Sequence, residues 1–125
     1  MLPSKNRKKF AKELVGCAGR YVGKTVLITG GSKGIGEGCA RAFFEAGANV
    51  VICARGAADA NRLVDELNRY AKMDSAANSA FFVRADVSKT ADLQAMVDAT
   101  IEKYGTLDCL INNAGWHPPP KTIVR

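Results

Sequence analysis

No two of the four cysteines, Cys17, Cys39, Cys53 and Cys109, stand two or three residues apart. That excludes a metal knuckle and a paired-cysteine redox motif. Cys53 and Cys109 lie in apolar runs, where a free cysteine acts as a small hydrophobe. The pattern suits a reducing, intracellular setting. No apolar run approaches the roughly 20 residues that a membrane-spanning helix needs. The first twenty residues also lack the long apolar segment of a secretory signal. Acid is nearly missing there. Lys5, Arg7, Lys8, Lys9, Lys12 and Arg20 stand against Glu13 alone, so five of the six net positive charges fall within residues 1–20. The rest of the chain is close to neutral. A nucleic-acid-binding body carries a basic face of its own, so neither a nucleic-acid partner nor a membrane span is expected.

What is present has the length of one domain with one core. The composition, 47% hydrophobic and 24% charged, is that of a globular chain. Residues 1–20 read as a basic, mobile arm, solvated in a cytoplasmic protein. The alternatives are a mitochondrial targeting peptide or a contact with an anionic surface, to which Phe10, Leu14 and Val15 would add a short apolar stripe.

The most informative stretch is Thr29-Gly30-Gly31-Ser32-Lys33-Gly34-Ile35-Gly36. It follows the apolar run Val26-Leu27-Ile28 and opens an amphipathic segment. Strand, glycine turn and helix together place a helix N-terminus, with its unpaired N–H groups, in front of an anion such as phosphate. A nearby stretch, Ala18 to Thr25, loosely resembles a nucleotide-binding P-loop. Its glycine and lysine lead into a strand rather than a helix, which inverts the order that such a loop requires.

Apolar periodicity organises the remainder. Ile35, Cys39, Ala42, Phe43 and Ala46 form one helical stripe, stopped by Gly47. A strand follows over Asn49–Ala54. Ala60, Leu63, Val64, Leu67 and Tyr70 make a second stripe. Ala80–Ala85 is a third strand, and Arg84 within it suggests a sheet edge. Ser88 is placed to cap the next helix, whose stripe is Leu93, Met96, Val97, Ile101 and Tyr104, ending at Gly105. Leu107–Ile111 is a fourth strand, running into Asn112-Asn113-Ala114-Gly115. Alternating elements of these lengths predict α/β architecture: a doubly wound, Rossmann-type parallel sheet truncated to four strands in the order 3-2-1-4. The first two helices then share one face and the third takes the other. Ligands bind beyond the carboxyl ends of strands 1 and 4, where the order reverses. The glycine loop and the Asn112–Gly115 run both end there.

These residues resemble the short-chain dehydrogenase/reductase family. Thr29–Gly36 fits its TGxxxGxG motif, Asn112–Gly115 its NNAG, and Asp86-Val87 its Asp-Val after strand 3. Arg20–Lys24 and Asn112–Pro120 are similar to the 17β-hydroxysteroid dehydrogenase type 14 group within it. The resemblance covers about residues 20–122 and divides the chain into the arm (1–20), the N-terminal part of a dinucleotide-binding domain (21–117) and a Pro-rich end (118–125). It implies that the backbone at Gly30, Ser32, Gly34, Ile35 and Gly36 holds a pyrophosphate and its ribose. It implies that Asp86 accepts from the adenine amino group and Val87 contacts the ring. Asn113, Ala114 and Gly115 would line the adenosine ribose and the floor under the nicotinamide. Asp108 would be a structural aspartate before strand 4, and His117 would lie near the substrate cleft or serve as a loop histidine.

Charge bears on the cofactor. An NAD site places a carboxylate at the end of strand 2. Here Ala54 is followed by Arg55, with Lys33 in the glycine loop. Two cations and no carboxylate favour a 2′-phosphate, hence NADP(H), with NAD(H) as the alternative.

The family's catalytic serine, tyrosine and lysine lie beyond strand 4. None of Tyr21, Tyr70 and Tyr104 is followed four residues later by lysine, so no catalytic residue is assigned. The expectation is the cofactor-binding half of an oxidoreductase acting on a small carbonyl or secondary alcohol, hydroxysteroid dehydrogenase-like and inactive as this fragment. The family's homo-oligomer interface would be missing, leaving a marginal, aggregation-prone chain. The alternative is a non-catalytic nucleotide-binding or regulatory short isoform.

Overall fold

The computed structural model describes residues 19–73 and 76–113. Four strands alternate with three helices: β1 (Thr25–Thr29), α1 (Gly34–Glu45), β2 (Asn49–Ala54), α2 (Ala58–Met73), β3 (Ala80–Arg84), α3 (Thr90–Tyr104) and β4 (Cys109–Asn112). The strands form one parallel sheet in the order β3-β2-β1-β4. This is the expected doubly wound topology, and it matches the expected elements to within two residues at most strand ends.

Strand periodicity divides the core. Val26, Ile28, Val50 and Ile52 point to one face, where α1 adds Ala40 and Phe44, and α2 adds Ala60, Leu63, Val64, Leu67 and Ala71. Leu27, Val51 and Cys53 point to the other, under Met96 of α3. All five residues of β1 are buried, as a central strand covered on both faces requires. Two helices therefore lie on one face and one on the other.

The ends of these elements follow from local chemistry. Gly47 leaves α1 with φ +101°, and Gly105 caps α3 with φ +79°, the left-handed conformation that favours glycine at a helix C-terminus. Gly47 is further constrained, because an added Cβ would lie 2.7 Å from Val22 Cγ2. Before β1, a turn over Gly19–Gly23 docks on the end of α1. The Tyr21 amide donates to the Ala46 carbonyl at 3.1 Å, and the Tyr21 ring meets Phe43 edge-on at 5.1 Å.

Three sequence expectations are corrected. Ser88 does not cap α3. The N-cap is Lys89, with no side-chain bond, and Ser88 Oγ instead donates to Asp86 Oδ1 at 2.7 Å. Ile35 does not join the apolar stripe of α1; it sits in the first turn, 78% exposed. Leu93 and Ile101 are also on the outside of α3, whose buried positions are Met96 and Thr100. The Thr100 hydroxyl satisfies itself by donating to the Met96 carbonyl at 2.9 Å. The edge position of β3, by contrast, is as Arg84 suggested. Its outer side is met by Asn68, whose carboxamide bonds both the amide (2.7 Å) and the carbonyl (3.0 Å) of Ala80, as a neighbouring strand would.

The β1–β4 pairing begins at Asp108. Its Oδ2 accepts from the Thr25 amide at 2.9 Å, and its own amide donates to the Thr25 carbonyl at 3.0 Å. The Thr25 hydroxyl is fully buried and has no hydrogen-bond partner among the described residues. A buried hydroxyl without a hydrogen bond costs about 1–3 kcal/mol. Thr25→Val keeps the shape and the β-branching, and leaves the backbone bonds intact. It is expected to raise the unfolding free energy by about 1 kcal/mol in urea titration; a loss of stability would show that the hydroxyl is satisfied in solution.

Candidate functional site

The site is built where β1 and β4 end. Gly30 leaves β1 with φ +67°, and its amide donates to the Cys53 carbonyl at 2.8 Å, which ties the loop to the end of β2. The chain turns through Gly31 and Ser32 to Lys33, an extended N-cap without a side-chain cap bond. Gly34 opens α1 with φ +56°. The Lys33 side chain caps none of the N–H groups at the start of α1, and such groups at a helix N-terminus favour an anion.

The loop after β4 is laced to the glycine loop. The Asn113 amide donates to Thr29 Oγ1 at 2.9 Å, and Asn113 Nδ2 donates to the Gly30 carbonyl at 3.2 Å. Thr29 Oγ1 also lies 3.2 Å from Asn112 Oδ1, to which it donates. Gly36 packs under this junction. An added Cβ there would stand 2.2 Å from the Gly30 oxygen and 2.7 Å from Asn113 Nδ2. The two Gly/Asn clusters singled out in the sequence therefore meet, through Gly30, Gly36 and Asn113, at the point where the strand order reverses.

Asp86 closes the carboxyl end of β3. Its Oδ1 accepts from the hydroxyl and the amide of Ser88, at 2.7 and 3.0 Å. These two bonds hold the carboxyl below its ordinary pKa, with smaller help from the charges of Arg55 and Lys89. Its own amide donates to Asp92 Oδ2 at 2.8 Å. Val87 is half-buried against the cluster beneath α3 rather than standing free. At the end of β2, Cys53 is buried, and desolvation pushes its thiol up to about 11. It is a packing residue there, as its apolar setting predicted.

Arg55 is exposed just after β2. Lys33 is not a lone cation: its Nζ lies 3.3 Å from Asp59 Oδ2, in the first turn of α2. This corrects the premise that the site holds two cations and no carboxylate. No acid stands at Ala54, where β2 ends; the acid stands five residues later in the sequence, and the β2–α2 connection brings it back to the glycine loop. An acidic residue in the first turn of a helix is a signal in itself, and Asp59 carries it. Ala114, Gly115 and His117 lie outside the described residues, as do residues 1–18.

The sequence profile of the family described as short chain dehydrogenase matches residues 24–123. The chain belongs to the short-chain dehydrogenase family. Among its relatives, L-fucose dehydrogenase of Bos taurus is 43% identical over 102 residues, covering 82% of this chain and 34% of that protein. A solved hydroxysteroid dehydrogenase from Escherichia coli superposes with a TM-score of 0.72 at 37% identity, covering 85% of this chain and 43% of that one. The 3-ketoacyl-(acyl-carrier-protein) reductase of Brucella melitensis, solved in complex with NADH, matches with a TM-score of 0.61 at 42% identity, over 71% of this chain and 33% of its own. The chain thus spans about a third of the length of the curated relatives it matches. Short-chain dehydrogenases are oxidoreductases that bind NAD(P), and the junction of Gly30, Gly36 and Asn113 lies in the part of the family fold that this chain contains.

Proposed function

We propose that the chain is the cofactor-binding part of an NAD(P)-dependent short-chain oxidoreductase acting on a carbonyl/secondary alcohol pair, hydroxysteroid dehydrogenase-like. The observation that carries this reading is the lacing of Asn113 onto Gly30 over Gly36, beside the uncapped N-terminus of α1. In this reading, the backbone at Gly30, Ser32, Gly34, Ile35 and Gly36 takes the pyrophosphate. Asp86 and Val87 border the adenine. Asn113 lines the adenosine ribose and the nicotinamide floor with Ala114 and Gly115, and His117 lies toward the substrate. The bound nicotinamide would supply or accept the hydride. The relatives named L-fucose dehydrogenase and 7alpha-hydroxysteroid dehydrogenase support an alcohol or carbonyl substrate.

NADP(H) is the proposed preference, with NAD(H) as the second cofactor. Arg55 carries it, because a guanidinium grips phosphate through two parallel bonds. No Tyr-x-x-x-Lys pair occurs in the 125 residues, so this chain by itself is proposed to bind cofactor without turnover.

Fluorescence titration of the chain with NADPH and NADH tests both parts. Saturable binding, tighter for NADPH, is the expected result. Arg55→Ala is expected to weaken NADPH about tenfold, the effect of about 1.4 kcal/mol, and to leave NADH nearly unchanged. Equal loss for both cofactors would sink the preference, and no binding of either would sink the site.

A further inference from the structure

Lys33 and Asp59 join two helix N-termini across the carboxyl edge of β1 and β2. Lys33 is the N-cap of α1, and Asp59 stands in the first turn of α2. Their charged atoms are 3.3 Å apart, with side chains 79% and 46% exposed. We propose that Asp59 is a specificity-determining residue of the dinucleotide site: its carboxylate holds Lys33 and competes with a ligand's 2′-phosphate for that cation. This deepens the cofactor reading above and rests on it.

The physics is a competition between two anions for one ammonium. A phosphate arriving at Lys33 must displace a carboxylate that α2 already favours, since a negative charge in the first turn of a helix is stabilised by the N-terminal amides. Asp59 would remain close by and repel the phosphate after the exchange. A ligand with an unphosphorylated 2′-hydroxyl meets neither penalty, and the hydroxyl can donate to a carboxylate. Lys33 thus already faces a carboxylate of the chain's own. The preference for a 2′-phosphate is therefore smaller than two free cations would confer, and Asp59 sets part of that reduction. Because the pair is exposed, its influence is modest and sensitive to salt.

The experiment uses 2′,5′-ADP and 5′-ADP as probes, bound to the 125-residue chain at low ionic strength and followed by calorimetry. Wild type, Asp59→Asn, Lys33→Ala and the double variant are compared. Asp59→Asn is expected to bind 2′,5′-ADP about two- to fivefold tighter, the range of an exposed ion pair, with 5′-ADP unchanged. That gain is expected to vanish in the Lys33→Ala background. An equal gain for both probes, or one that survives loss of Lys33, would overturn the proposal, because the carboxylate would then act only through the general field. No change on Asp59→Asn, with wild type binding both probes, overturns the proposal and leaves the cofactor reading standing. Wild type binding neither probe overturns the cofactor reading, and the proposal with it.

Discussion

Gly36→Ala is expected to weaken dinucleotide binding about tenfold or more and to lower stability by about 1–3 kcal/mol, the usual cost of forcing a group into filled space. Two effects oppose each other. Alanine is the better helix former, worth about 0.5–1 kcal/mol over glycine inside a helix. Against that, the new Cβ would stand 2.2 Å from the Gly30 oxygen and 2.9 Å from its carbonyl carbon. These are backbone atoms, so no side-chain rotation relieves the contact. The loop must move, and the bond from Asn113 Nδ2 to that same oxygen moves with it. The clash wins. Gly38, two residues on in the same helix, supplies the control, because a Cβ there meets nothing within 4 Å. Gly38→Ala is expected to gain about 0.5–1 kcal/mol and to leave binding unchanged. Urea melts with cofactor titration of both variants decide the matter; similar behaviour of the two would refute the steric account.

Leu27→Ala is expected to cost about 2–5 kcal/mol, the range for truncating a fully buried leucine. That is a large part of the about 5–15 kcal/mol that holds a typical domain together. Leu27 lies at the centre of β1 with no exposed surface, among Val51, Cys53 and Met96. Its register partner on β4, Leu110, is the same residue type on the adjoining strand, yet it is 53% exposed. Leu110→Ala is therefore expected to cost less than about 1 kcal/mol, in proportion to the smaller apolar area it buries. The shift in urea midpoint for each variant measures the contrast. Equal costs would mean that Leu110 is covered in solution, for instance by self-association through the β4 side of the sheet.

Much of the fold is legible in the sequence because its signals are local. The alternation of strand and helix follows from apolar runs and 3.6-residue stripes. Gly47 and Gly105 mark helix ends because a left-handed φ favours glycine whatever surrounds it. With the order 3-2-1-4 of a doubly wound sheet, right-handed crossovers put the first two helices on one face and the third on the other, a property of the twisted chain and not of particular side chains. The meeting of the glycine loop with Asn113 was legible for the same reason, since topology alone brings the two strand ends together.

Three things were decided only in the folded molecule. Ile35 shares the spacing of the apolar stripe, but it sits in the first turn of α1, at the N-terminal end of the helix, where its side chain is 78% exposed. Ser88 has the chemistry of a cap, but Asp86, two residues before it, offers a charged acceptor, and a hydrogen bond to a charged group is the stronger one. Asp59 is invisible to a search for an acid at the end of strand 2, because its distance from Lys33 depends on how α2 enters from the β2–α2 connection. The amino-acid sequence by itself determined which elements form, how they are ordered and where a dinucleotide would approach. Tertiary structure decided which charges face one another at that place, because pairing between exposed side chains depends on ångström-scale distances that no periodic pattern encodes.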